Sequence, residues 1–251
     1  MSGPQVYAHA RGFADETLQA ARVGYQAVEE RDPAEAWGLP KDHKAIWLPR
    51  GITLPWFQAG ELWRLIIRQA GTAVPKDKKC IAVSGGSNTL YRVDTLQANT
   101  PAMIVEGVLD ALAMVQEAGD LLAVVAAGST TGGRLERWIG RLGLASLVLV
   151  SFDADGGGEE AAAWWLKALG QKGKRWRPYW DDPNAMLQGG AEVRTWIREG
   201  LALQPTWWRE VAAWPDDRRE QWEERACIME MDGALSRDEA EMQAYRLVVG
   251  L

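Results

Sequence analysis

Between residues 101 and 178 the chain alternates short, almost wholly apolar runs with segments of helical character, and this rhythm restricts its fold more than any other feature. "AMIVEG" reads as a strand ending in an acid, "VLDALAMVQEAG" as a helix with a glycine stop, "LLAVVAAG" as a second strand and "GRLERWIGRLG" as a second helix. "SLVLVSFDAD" follows as a third strand, "GEEAAAWWLKALG" as a third helix and "KRWRPYW" as a fourth strand. Runs without polar alternation suit strands buried on both faces, and strand–helix alternation builds a parallel sheet covered by helices on both sides. The expected class is α/β, with a Rossmann-like parallel sheet at its centre.

The flanks read differently. Residues 11–30 read as a short helix capped by Asp15, with Leu18, Ala21 and Val23 on its apolar side. Residues 31–44 are rich in Pro, Gly and charge and read as loop. Residues 45–93 hold short apolar runs between turn signals, among them "GITLPWF", "ELWRLIIRQ", "KCIAVSG" and "NTLYRV", which predict a small sheet, antiparallel in part. Residues 191–251 read as helical and Trp-rich, with a break near Pro215. The expected division is a mixed α/β subdomain over 1–100, the parallel-sheet domain over 101–190 and a helical extension over 191–251.

Charge and rare residues narrow the function. A net charge of −6 over 251 residues argues against a chain coated in basic charge. It leaves room for a local basic groove and for an acidic site that holds cations. Cys80, Cys227, His9 and His43 are the only cysteines and histidines, so no zinc-ligand spacing and no disulfide framework can be written. The start "MSGPQVYAHARG" has no apolar core, and no run approaches the roughly 20 apolar residues a membrane helix needs. A cytoplasmic protein is expected.

Ligands of an open parallel sheet bind beyond the carboxyl ends of its strands. Glu106 ends the first strand, the loop "AAGSTTGG" over 126–133 follows the second, and Asp153 and Asp155 end the third. The crossovers thus carry distant carboxylates to one rim, where hard oxygen ligands suit Mg²⁺ or Mn²⁺. The competing reading of an Asp at a strand–helix junction is a helix cap.

"MIVEGVLDALA" followed by "LVSFDADGGGEEAA" resembles the Toprim domain of bacterial-type primases, topoisomerases and certain nucleases. The resemblance implies Mg²⁺-dependent phosphoryl chemistry, with Glu106, Asp153 and Asp155 as catalytic acids and metal ligands, Glu106 being a ligand or the general base. Asp110 matches an acid of the primase-type "EG…D" segment. Asp182, in "DDPNAMLQGGA", matches the "DPN" element that follows the last strand in primase-like members. Upstream, "RGFADETLQAARVGY", "RGITLPWF…GELWRLIIRQ" and "KKCIAVSGGSNTLY" are similar to the segments that precede the Toprim domain in primases, so the similarity spans roughly residues 10–190. It implies a primase-like nucleotidyltransferase core that makes a short RNA primer from NTPs on single-stranded DNA, with a replicative helicase or other replication protein as partner. The alternatives are a Toprim-type nuclease and a catalytically idle nucleic-acid- or partner-binding module. The sequence departs from the family in lacking the Cys/His set of a zinc-binding module, and no G-x-x-x-x-G-K-[ST] motor motif is present. A fragment of a longer protein or a reduced stand-alone relative is expected.

Several features outside the acids have two readings. Lys172, Lys174, Arg175 and Arg177 in "QKGKRWRP" either meet nucleic-acid phosphates or form a solvated turn. Ser87 and Asn88 in "SGGSNTLYR" either cradle phosphates through backbone amides or belong to a plain loop. Arg64 and Arg68 either line a template groove or pair with carboxylates. The C-terminal tryptophans (Trp196, Trp207, Trp208, Trp214, Trp222) are read as core or interface ahead of base-stacking platforms.

Overall fold

The computed structural model describes residues 3–69, 74–75, 79–233 and 235–250. Helices α1 (Gly3–Ala10) and α2 (Asp15–Ala20) lead into β1 (Gly24–Gln26). Strands β2 (Glu30–Asp32) and β3 (Ile46–Leu48) pair as an antiparallel ribbon. Strands β4 (Gly51–Gln58), β5 (Glu61–Gln69) and β6 (Cys80–Ala82) join β1 in an antiparallel sheet of order β1-β4-β5-β6.

The second sheet holds β7 (Ala102–Val105), β8 (Ala123–Ala126), β9 (Val148–Ser151) and β10 (Gly173–Arg175), all parallel, in the order β10-β9-β7-β8. Helices α3 (Val108–Ala118), α4 (Glu136–Gly143) and α5 (Gly156–Leu169) are the crossovers. Every residue of β7 and β9 is buried, as the unbroken apolar runs require. Successive side chains point to opposite faces. Met103 and Val105 therefore pack with Leu112 and Met114 of α3, and with Leu54 and Trp56 of the antiparallel sheet. Ala102 and Ile104 pack instead with Trp138 of α4 and Trp165 of α5. Helices thus cover both faces of the parallel sheet, as expected from the sequence.

The chain ends in α6 (Pro183–Gln188), α7 (Val193–Leu201), α8 (Thr206–Ala212), α9 (Asp216–Gly233) and α10 (Arg237–Val249). Trp208, Trp222 and Ala244 form a separate core there, flanked by Trp207 and Trp214. Trp207, Trp208 and Trp222 pack against one another, Trp214 stacks on Tyr245, Trp196 of α7 packs on Trp176 instead, and the break falls at residues 213–215. Ser236 caps α10 in a capping box with Glu239.

The N-terminal flank departs from expectation. The helix expected over 11–30 shrinks to α2, because Gly12 (φ 85°) and Arg22 (φ 53°) turn the chain left-handed on either side of it. Asp15 does not cap it: α2 starts after Ala14 with no side-chain cap, and the Asp15 carboxylate meets His9 Nε2 at 2.8 Å. Residues 24–26 are strand, and α1 was unforeseen. The expected loop 31–44 begins inside β2, since residues 30–32 find backbone partners on β3. "NTLYRV" is not a strand but one bridge, Tyr91 to Ala126, followed by a left-handed Arg92 (φ 60°) and a 3₁₀ turn over Val93–Thr95.

The two sheets meet where fully buried Trp56 of β4 faces the loop after β8. Gly128 there has φ 87°, and a Cβ on it would lie 2.5 Å from Trp56 Cη2. Glycine is needed for both the backbone and the ring. Gly128→Ala is expected to destabilise the protein by about 1–3 kcal/mol. Urea unfolding of the variant beside the parent measures this, and an unchanged midpoint would contradict the packing described.

Candidate active site

The register of the parallel sheet sets the site. Val105 pairs with Ala126 on one side and with Ser151 on the other, so β7, β8 and β9 stop level with one another. Glu106, Ala127 and Phe152 are therefore the first residues beyond the strands, and Asp153 follows. Glu106 O accepts from Gly128 N at 2.7 Å, which holds the two loops together.

These loops form one side of a cleft of about 580 Å³. Its acidic wall carries Glu106, Asp110, Asp153 and Asp182. Its opposite wall is the antiparallel sheet, with Arg64 and Arg68 on β5 and Lys79 and Cys80 at β6. Arg11 closes one end, while Trp56 and Leu54 form an apolar floor.

Asp110 anchors the acidic wall. It lies in the first turn of α3, where Oδ2 accepts from Gly107 N at 3.1 Å, and Oδ1 accepts from Asn184 N at 3.1 Å. Burial, then the charges of Asp182 and Asp153, hold its carboxyl well above the usual range. Asp182 caps α6, its Oδ1 accepting from Ala185 N at 2.6 Å. Asn184, fully buried, accepts from Arg11 Nη1 at 2.7 Å and donates back to Arg11 O at 3.1 Å. The "DPN" turn thus clips the N-terminal segment to the acidic wall.

Asp155 is placed differently. It caps α5, with Oδ1 accepting from Gly158 N at 2.8 Å, and it does not line the cleft. Its carboxylate is exposed, and Oδ2 makes no hydrogen bond among the described residues. Among the described residues no three His, Cys, Asp or Glu side chains close into a ready ligand set. The donors on the acidic wall are nonetheless carboxylate oxygens, and the charges of Asp182 and Asp153 help to raise the Asp110 carboxyl. That fits Mg²⁺, which keeps several waters and takes one or two carboxylates besides substrate phosphate.

The basic wall is not paired away. Arg64 packs over the Trp56 ring at 5.1 Å, and burial lowers its pKa from the ordinary arginine value. Arg68 donates from Nε to Tyr7 Oη at 2.7 Å and from Nη1 to Cys80 Sγ at 3.4 Å. Neither forms an ion pair with a carboxylate among the described residues. Arg11 and Lys79 share this cleft without having been singled out from the sequence; both owe their place to contacts made across the fold.

The side chains of segment 172–177 are largely engaged with the protein itself. Lys172 Nζ donates to Gly143 O and to Glu241 Oε1, each at 3.2 Å, with Glu241 buried. Arg175 donates to Val150 O at 3.0 Å and Phe152 O at 3.1 Å, and pairs with Glu159 at 2.8 Å. Arg177 meets Glu159 at 3.0 Å and Ala154 O at 2.9 Å, and Lys174 is half-buried. Ser87 and Asn88 fasten their loop: Ser87 N donates to Trp63 O at 2.8 Å, and Asn88 Oδ1 accepts from Gly133 N at 3.2 Å. Neither lines the cleft.

Two tests follow from these contacts. Asn184→Ala removes both bonds to Arg11 and should cost about 1–3 kcal/mol in denaturant unfolding. The Arg175 hydrogen bond and charge hold the Glu159 carboxyl below the usual glutamate range. A depressed carboxyl contributes stability above its unfolded pKa and loses it as pH falls through the folded value. Glu159→Gln should therefore flatten the acid limb of a melting-temperature profile, and an unchanged limb would refute the pairing.

The model of the Toprim-like family matches residues 103–187. No curated protein matches the chain. Among solved structures, a DNA primase domain from Pseudomonas aeruginosa superposes with a TM-score of 0.61 at 19% identity, over 100% of this chain and 89% of that one. The RNA polymerase domain of Mycobacterium tuberculosis primase DnaG, solved with a double-stranded DNA oligomer bearing a 6-nucleotide overhang, gives 0.62 at 19%, over 98% and 90%. The primase fragment of the bacteriophage T7 primase-helicase protein gives 0.53 at 17%, over 77% and 72%. The chain carries a Toprim-like domain over residues 103–187, set in a fold that resembles the catalytic cores of DNA primases.

Proposed function

We propose that the cleft is the active site of a primase-like nucleotidyltransferase, which uses Mg²⁺ or Mn²⁺ to join NTPs into a short RNA primer on single-stranded DNA. The observation that carries this reading is the meeting of four carboxylates and four cationic side chains across one cleft. A nucleoside triphosphate with its cation needs both: oxygen ligands for the metal and fixed positive charge for the phosphates.

In this reading Glu106, Asp153 and Asp182 would hold the cation, while Asp155 caps α5 outside the cleft. When bound, the metal lowers the barrier to attack by a 3′-hydroxyl and stabilises the leaving pyrophosphate. Arg64, Arg68, Arg11 and Lys79 orient the triphosphate from the opposite wall. Asp110 positions: its two backbone hydrogen bonds keep the "EG" turn and the "DPN" turn together. Trp56 excludes water from the floor and holds Arg64 in place. A helicase or other replication protein is the partner class this activity implies. A second reading, a module that binds without turnover, draws support from the absence of a ready three-acid ligand set among the described residues and from the capping role of Asp155.

One assay separates these readings. Labelled single-stranded DNA is incubated with NTPs and Mg²⁺ or Mn²⁺, and both extension and shortening are scored. Extension is expected, and Glu106→Gln and Asp153→Asn should each reduce it about 100-fold or more. Shortening alone would replace polymerisation with nuclease action, and neither product would favour the idle module. Independently, Mn²⁺ should raise the melting temperature of the parent by mass action. Asp153→Asn combined with Asp182→Asn should abolish that rise.

A further inference from the structure

A second cavity, of about 230 Å³, lies on the far side of β4 from the cleft. Strand alternation divides the two: Leu54 and Trp56 face the cleft, whereas Pro55 and Phe57 face this cavity. Its cationic groups are Arg22, from the turn after α2, and Arg92, just after the Tyr91 bridge. Both are held left-handed, at φ 53° and φ 60°, a conformation few non-glycine residues adopt.

Neither guanidinium is neutralised. Among the described residues neither Arg22 nor Arg92 forms an ion pair. Arg22 packs over the Phe57 ring at 4.7 Å. Arg92 Nε is buried with no hydrogen-bond partner among the described residues. Asp94, the one acid lining the cavity among the described residues, accepts from Ala59 N at 2.6 Å through Oδ2. A guanidinium without acceptors in the protein favours an anion that brings them.

We infer that Arg22 and Arg92 form a site for one phosphate group of a single-stranded nucleic acid. Guanidinium favours phosphate through paired N–H donors, and the apolar floor of Pro55, Phe57 and Tyr91 suits the sugar that carries it. The volume falls below the roughly 300 Å³ at which pockets begin to enclose whole small molecules, so a complete nucleoside triphosphate does not fit. A single phosphate with its sugar does fit. The choice of a polynucleotide as the source rests on the nucleic-acid reading of the cleft; the anion site itself does not.

The test measures anisotropy of labelled single-stranded DNA at several salt concentrations without divalent cation, for the parent, Arg22→Gln, the double Arg22→Gln/Arg92→Gln variant and the double Lys variant. Glutamine keeps a side chain at each left-handed position while removing the charge. The double Gln variant should bind more weakly, with a salt slope reduced by about 0.7, the contribution of one single-strand phosphate. The double Lys variant should recover the slope. The single Arg22→Gln change lies at an exposed position and should weaken binding even where the double variant folds poorly. An unchanged slope in folded Gln variants would overturn the inference. So would a loss confined to labelled NTP, which would make the site one for free nucleotide. The Mn²⁺ melting shift of the cleft should be the same in all these variants, so failure of the cleft reading and failure of this one are told apart.

Discussion

The level ending of three parallel strands is the constraint on which the rest of this protein depends. Because Val105 pairs with both Ala126 and Ser151, three loops leave the sheet at the same height. A shift of one residue would exchange the two buried faces of a strand and carry its terminal acid off the rim. The apolar residues that bury β7 and β9 on both sides therefore also fix where Glu106 and Asp153 stand. Core and site share one cause here, because the packing that sets the strand register also sets the positions of these carboxylates.

That rim is unfavourable in isolation. Burial and like charge both raise the cost of ionising Asp110, and the antiparallel sheet answers by presenting arginines across the cleft. The two sheets are thus complementary electrostatically as well as through the seat of Trp56 against Gly128. The net negative charge of the whole chain says little about this cleft, where opposite signs are segregated onto facing walls.

The parallel sheet and its acids were legible because their signals are local. Apolar runs of strand length, glycine stops and the acids after the first and third strands all lie within a few residues of one another. The N-terminal flank was less legible because its elements depend on remote partners: β1 is a strand only against β4, and β2 only against β3. The partners of the basic segment were hidden for the same reason. Nothing near Lys172 announces Glu241, 69 residues later, and Glu159 lies on the previous helix, 16 residues before Arg175. A cluster of positive charge in sequence is an unassigned set of donors until the fold decides what accepts from them. Asp155 shows the converse, since the capping signal and the metal-ligand signal are the same residue in the same place.

The Lys172–Glu241 pair has a consequence for the order in which the chain matures. A growing chain completes β7 to β10 well before residue 241 is made, and strands so close in sequence can assemble early. Until then the Lys172 ammonium has only water and Gly143 O as partners. The arrival of α10 brings Glu241, together with Arg237, which also bonds it at 2.6 Å. Trp208, over whose ring Lys172 sits at 5.6 Å, joins the same junction. The helical end is therefore tied through Lys172 to the turn that leads into a strand already formed. A nascent chain stalled before residue 237 would carry a finished acidic rim with the Lys172 ammonium still without its carboxylate.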